Sequence, residues 1–157
     1  MNIELIVVGK TDSTQIAQLI ETYAKRISNY TRFGITTVPD VRNNRSMTFN
    51  QQKKCEGEAI LRLLSESDYV VTLDERGRQM TSVDFAFWMQ KRMNSGLKRL
   101  CFIIGGPYGF SDEVYARANG SLSLSAMTFS HQIVRAIFVE QLYRAFTILN
   151  NEPYHHA

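Results

Sequence analysis

The sequence predicts a single α/β domain over residues 1–157, built on a mostly parallel sheet flanked by helices. Three observations carry that expectation. Short apolar runs rich in β-branched residues alternate with stretches of helical period, as in βαβ units. The runs at 3–8, 69–73 and 100–104 are nearly continuous rather than alternating, which suits strands buried on both faces. No repeat, low-complexity block or Pro/Gly-rich linker divides the chain, and a domain of this length can stabilise its own core.

Residues 3–8 form the first strand, stopped by Gly9, and Thr11-Asp12-Ser13-Thr14 can cap a helix carrying Ile16, Leu19, Ile20 and Tyr23. A second strand at 33–38 is closed by Pro39. The polar stretch 41–52, with Asn43-Asn44-Arg45-Ser46, reads as a mobile loop before a helix bearing Ile60, Leu61, Leu63 and Leu64. Gly57 in that helix costs about 1 kcal/mol relative to alanine, so it marks either a close approach or a tolerated defect. The strand at 69–73 runs into a charged turn at 74–78. Thr81-Ser82-Val83-Asp84 then caps a helix with Phe85, Trp88, Met89 and Met93 on one face, a pattern that reads as core packing. After strand 100–104 come Gly105-Gly106-Pro107-Tyr108-Gly109, a short helix near 112–118, and a half-buried strand in which Leu122 and Leu124 alternate with serines. Ser130 caps the last helix, with Phe129 and Val134 as a hydrophobic staple and Val134, Phe138, Leu142 and Phe146 as its apolar stripe.

Composition narrows the class. Hydrophobic residues at 44% and charged residues at 21% exclude a collagen-like or wholly disordered chain. The longest apolar run, Leu100 to Ile104, is far shorter than the roughly 20 residues a membrane helix needs. Glu4 stands where a signal peptide would be basic, so a cytoplasmic protein without membrane contact is expected. Cys55 and Cys101 read as buried reduced thiols. The net charge of +3 arises in the second half of the chain, a mild excess that by itself argues only weakly for a polyanionic partner.

Ligands of parallel α/β sheets sit beyond the carboxyl ends of the strands, so the loops there define the search. Three are distinctive: Leu73-Asp74, Ile104-Gly105-Gly106-Pro107-Tyr108-Gly109, and Leu124-Ser125-Ala126-Met127-Thr128-Phe129. If their strands are neighbours, they form one cleft, with small residues leaving room for a flat ring such as adenine. Taken alone, the glycine segment reads equally well as a tight turn. Neither G-x-G-x-x-G nor a P-loop is present, and Pro107 removes an amide from the glycine turn. A cofactor without phosphate is what such a niche admits.

Val70-Val71-Thr72-Leu73-Asp74-Glu75-Arg76-Gly77, Ile103-Ile104-Gly105-Gly106-Pro107-Tyr108-Gly109-Phe110, Leu122-Ser123-Leu124-Ser125-Ala126-Met127-Thr128 and Pro153-Tyr154-His155-His156 carry a resemblance that spans the whole chain. Glu56-Gly57-Glu58 and Glu140-Gln141-Leu142-Tyr143-Arg144-Ala145 extend it. Together they closely resemble the SPOUT-class methyltransferases of the large-subunit methyltransferase H family, which methylate N3 of a pseudouridine in 23S ribosomal RNA. The resemblance implies S-adenosylmethionine as cofactor, a C-terminal trefoil knot, a homodimer, and the large ribosomal subunit or assembled ribosome as partner. It places the cofactor against Leu73, Gly105, Leu124, Ser125, Ala126, Met127, Thr128 and Phe129. The knot is implied by likeness alone, since knotted connections are rare in folds generally.

Methyl transfer from a sulfonium is an in-line displacement, so alignment of the reacting atoms and exclusion of water dominate. The N3 proton must also leave. His131, directly after the proposed cofactor loop, can organise substrate or take that proton, or equally can pack as a first-turn residue. Tyr154 and His155 end a tail that the resemblance implies docks over the active site and touches RNA. The histidines lack chelating spacing, so no metal is expected. Glu140 and Arg144 form an i, i+4 pair, which leaves Arg135 as the better candidate for RNA or a dimer partner. Two other readings stay open at this level: a related methyltransferase acting on another RNA such as transfer RNA, and a non-catalytic RNA-binding or assembly protein.

Overall fold

The computed structural model describes residues 1–40 and 47–156. Five strands, β1 (Asn2–Val8), β2 (Arg32–Val38), β3 (Tyr69–Gln79), β4 (Arg99–Ile104) and β5 (Gly120–Ser123), form one sheet in the order β2-β1-β4-β3-β5. Every pairing is parallel. Side chains alternate across it as the pleat requires. Leu5, Val7, Leu100, Phe102, Val71 and Leu73 enter one core, whereas Ile6, Val8, Cys101, Ile103 and Val70 enter the other. Both faces are buried, which explains why these strands read as continuous apolar runs.

Helices α1 (Thr14–Ile27), α3 (Ser82–Met93) and α5 (Ile133–Leu149) cover the first face, with Ile27, Phe85, Met89, Phe138, Leu142 and Phe146 in its core. Helices α2 (Phe49–Arg62) and α4 (Asp112–Arg117) cover the second through Ile60 and Val114. The α3 face is core packing as expected. On α1, Leu19 departs from its expected place in the core and is 47% exposed. Burial pushes the Cys101 thiol up to about 12, which suits an inert core residue, and Cys55 is half-buried and also free. Among the described residues no helix is long and apolar enough to cross a membrane.

Several expected boundaries move. The stretch read as a loop at 41–52 is only partly described, residues 41–46 lying outside the described residues. Its end is helix: Thr48 accepts from the Gln51 amide while the Gln51 side chain accepts from the Thr48 amide, a reciprocal capping box that starts α2 at Phe49. The charged segment 74–78 is not a turn but part of β3. Its pairing with β5 slips there, so that Leu73 and Arg78 both stand opposite Leu122. Leu124 lies beyond the end of β5.

Gly57 marks a close approach. A Cβ there would stand 2.3 Å from Ser111 Oγ, and Ser111 is itself the N-cap of α4, accepting from the Val114 amide. Gly57→Ala is expected to cost about 1–3 kcal/mol by overpacking this helix contact, more than the roughly 1 kcal/mol gained in helix propensity. Urea unfolding measures it, and a midpoint at or above the parent's would contradict the tight α2–α4 contact.

Candidate active site

Parallel strands deliver their carboxyl ends to one edge of the sheet, and the ends of β4, β3 and β5 are adjacent there. They enclose a cleft of about 680 Å³. Leu73 to Arg76 form one wall, Ile104 to Phe110 a second, and Leu122 to Ser125 with Met127 to His131 a third. Lys53 of α2, Asp112 and Tyr115 of α4 and Val134 of α5 complete it. The three loops chosen from sequence do converge.

Polar side chains hold the walls together. Thr128 Oγ1 donates to Glu75 Oε2 at 2.6 Å, joining the segment after β5 to β3. Tyr115 donates to Asp74, whose other carboxylate oxygen accepts from the Arg76 amide at 3.0 Å. Burial, reinforced by the Asp74 carboxylate, pushes the Tyr115 phenol up to about 12, so it remains a donor at neutral pH. Ser123 Oγ donates to the Ser125 carbonyl at 2.8 Å, and Ser125 Oγ accepts from the Met127 amide at 2.9 Å. The serines thus shape their own backbone into a short loop.

The glycine turn is also packed closely against its own protein. A Cβ at Gly105 would stand 3.1 Å from the Phe110 ring, and one at Gly106 would stand 2.8 Å from the carboxylate of buried Glu56. Close packing within the protein favours glycine at both positions. Their main-chain groups still line the cleft.

Of the site residues expected from sequence, Leu73, Gly105, Leu124, Ser125, Met127, Thr128, Phe129 and His131 line the cleft. Ala126 is exposed beside it and does not form its wall. His131 is not the first residue of α5 but sits in the turn before it. Gln132 occupies the cap position without a side-chain bond to the helix's own amides, while Ser130 Oγ accepts from the Ile133 amide at 3.1 Å. The tail lies elsewhere. Tyr154 donates to Glu140 at 3.0 Å and packs edge-on against Tyr143, and His155 Nδ1 accepts from Arg144 at 3.0 Å. Arg144 also pairs with Glu140, as its spacing implied. Within one chain, therefore, neither Tyr154 nor His155 closes over the cleft.

Arg135 is a clear correction. It is 1% exposed and faces inward, not toward RNA or a partner. Its guanidinium donates to the carbonyls of Val8 at 2.7 Å, Gly9 at 2.8 Å and His131 at 3.0 Å, and to the Thr11 hydroxyl at 3.0 Å. Burial lowers its pKa, and these acceptors offset the desolvation. Gln132 reinforces the contact, accepting from the Asp12 amide and donating to the Lys10 carbonyl. The sequence offered no sign of this, because a buried arginine satisfied by carbonyls looks the same as a surface one. Lys53 was missed too, although Thr48-x-x-Gln51 carried the signal that a helix begins there.

Fold and cleft together define an α/β protein with a cleft of small-molecule size beyond the carboxyl edge of a wholly parallel sheet. The chain belongs to the SPOUT methyltransferases, whose family profile, described as predicted SPOUT methyltransferase, matches residues 1–155. It is 56% identical to the ribosomal RNA large subunit methyltransferase H of Christiangramia forsetii and 54% identical to that of Flavobacterium johnsoniae. The protein of the same name from Bacteroides thetaiotaomicron is 49% identical. Each likeness covers 99% of this chain and 99% of the relative.

Arg135→Met is expected to cost about 3–5 kcal/mol of stability by orphaning its buried acceptors. Thermal melting checks this. A variant with parent stability but weakened RNA binding would restore Arg135 as an RNA contact.

Proposed function

We propose that the chain is an S-adenosylmethionine-dependent methyltransferase acting on N3 of a pseudouridine in 23S ribosomal RNA, on the large subunit or assembled ribosome in the cytoplasm. The observation that carries this reading is likeness over 99% of both chains to proteins named ribosomal RNA large subunit methyltransferase H. Those names point to ribosomal rather than transfer RNA.

The cofactor fits what the cleft offers. The volume is within the roughly 300–1,000 Å³ of small-molecule sites, and its walls mix apolar side chains such as Leu73, Ile104 and Leu124 with glycines, serines and a few charged groups. Leu73, Gly105, Leu124, Ser125 and Met127 to Phe129 would hold the adenine and ribose through main-chain groups. When bound, the cofactor supplies an electrophilic methyl group on its sulfonium sulfur. His131, in the cleft wall, positions the base or takes its N3 proton.

The tail takes part only across a homodimer. Tyr154 and His155 lie against α5 and so reach a cleft only in a second subunit. The exposed Leu19 on α1 suits such an interface. The trefoil threading belongs to the same reading.

The test is methylation of ribosomes from cells lacking this protein, using purified enzyme and labelled cofactor, with the modified nucleotide located by mass spectrometry. One methyl on a large-subunit pseudouridine is expected, with no transfer to transfer RNA. Absence of label from ribosomal RNA would overturn the assignment.

A further inference from the structure

Two large rings stand in the open beside the cleft. Phe49, in the first turn of α2, is 64% exposed, and Tyr108, on the glycine turn, is 42% exposed. Their centroids are 4.1 Å apart with the planes inclined at 23°. Burying apolar area does not account for the pair, because Phe49 keeps most of its surface in water even with Tyr108 against it. What the arrangement presents is a rigid flat face at the rim, continuous with the turn that forms the cofactor wall. Lys53, one helical turn after Phe49 and so on the same face of α2, lines the cleft and makes no ion pair among the described residues.

An aromatic face with a cation beside it is the chemistry that recognises an unpaired nucleotide: the ring stacks on the base and the ammonium attracts the phosphate. Resting on the RNA substrate proposed above, we propose that Phe49 and Tyr108 form a stacking platform for an unpaired base next to the target nucleotide, with Lys53 contacting its phosphate. A base held there lies beside the cofactor cleft, so the platform fixes the target's approach without touching the reacting atoms. Phe49 and Lys53 are therefore positioning residues.

The test compares Phe49→Ala, Phe49→Leu, Phe49→Tyr and Phe49→Trp with the parent in ribosome methylation and in cofactor binding by calorimetry. Loss of a stacked base raises KM for the ribosome by about tenfold or more in the Ala and Leu variants. Tyr and Trp keep the parent's KM, and cofactor affinity is unchanged throughout. An exposed ring tolerates all four changes, and melting curves verify folding. A Leu variant as active as the parent, or an Ala variant that loses cofactor affinity in step with activity, would overturn the platform. Normal methylation with an indifferent Phe49 series defeats the platform alone, whereas no RNA methylation by the parent defeats the functional reading and the platform with it.

Discussion

The parallel pairing of β3 with β4 on one side and β5 on the other is the constraint from which the site follows. Antiparallel pairing of either neighbour would send one of the three loops to the opposite edge of the sheet. β5 is only four residues long, so its register needs help from side chains. Asn119 supplies it at one end, accepting from the Val70 amide through its side chain and donating its own amide to the Val70 carbonyl. Thr72 donates to Ser121 at 3.0 Å further along. Beyond Leu73 the register slips, which lets β3 continue to Gln79 while Asp74, Glu75 and Arg76 remain in the cleft wall.

A second constraint fixes the opening turn of α5. Arg135 ties the end of β1 to the carbonyl of His131, so the residue closest to the proposed proton chemistry is held by a guanidinium that never meets solvent. A buried cation is costly unless its donors are satisfied, and here backbone carbonyls do most of that work. The α5 helix then carries order away from the cleft. Its Glu140 and Arg144 hold Tyr154 and His155 against the helix, and burial together with Glu140 raises the Tyr154 phenol far above its usual range. The tail is a packed element of its own chain.

The strands were legible because burial on both faces leaves continuous apolar runs, and their loops were legible because cleft walls at strand ends favour small residues. The 124–129 segment was picked out on that ground, and all of it but Ala126 lines the cleft, since small size is equally suited to an exposed turn. Other features depended on partners far away in sequence. The charged run at 74–78 looked like a turn because it carries no apolar residue and is largely exposed, although it continues β3. Gly106 answers to Glu56 of α2, which no local pattern shows. Arg135 was misplaced because charge usually signals exposure, and this arginine is satisfied by residues more than 120 positions earlier. The α2 start was present in the text as a capping box and was masked by the polar composition around it.

A crystal structure of the protein with S-adenosylhomocysteine, the demethylated form of the donor, is the most direct measurement. The adenine should lie between Gly105 and the 124–129 segment, with Leu73 against it and His131 facing the sulfur. Density for the nucleoside at any other place on the sheet, with this cleft filled by solvent, would contradict the account.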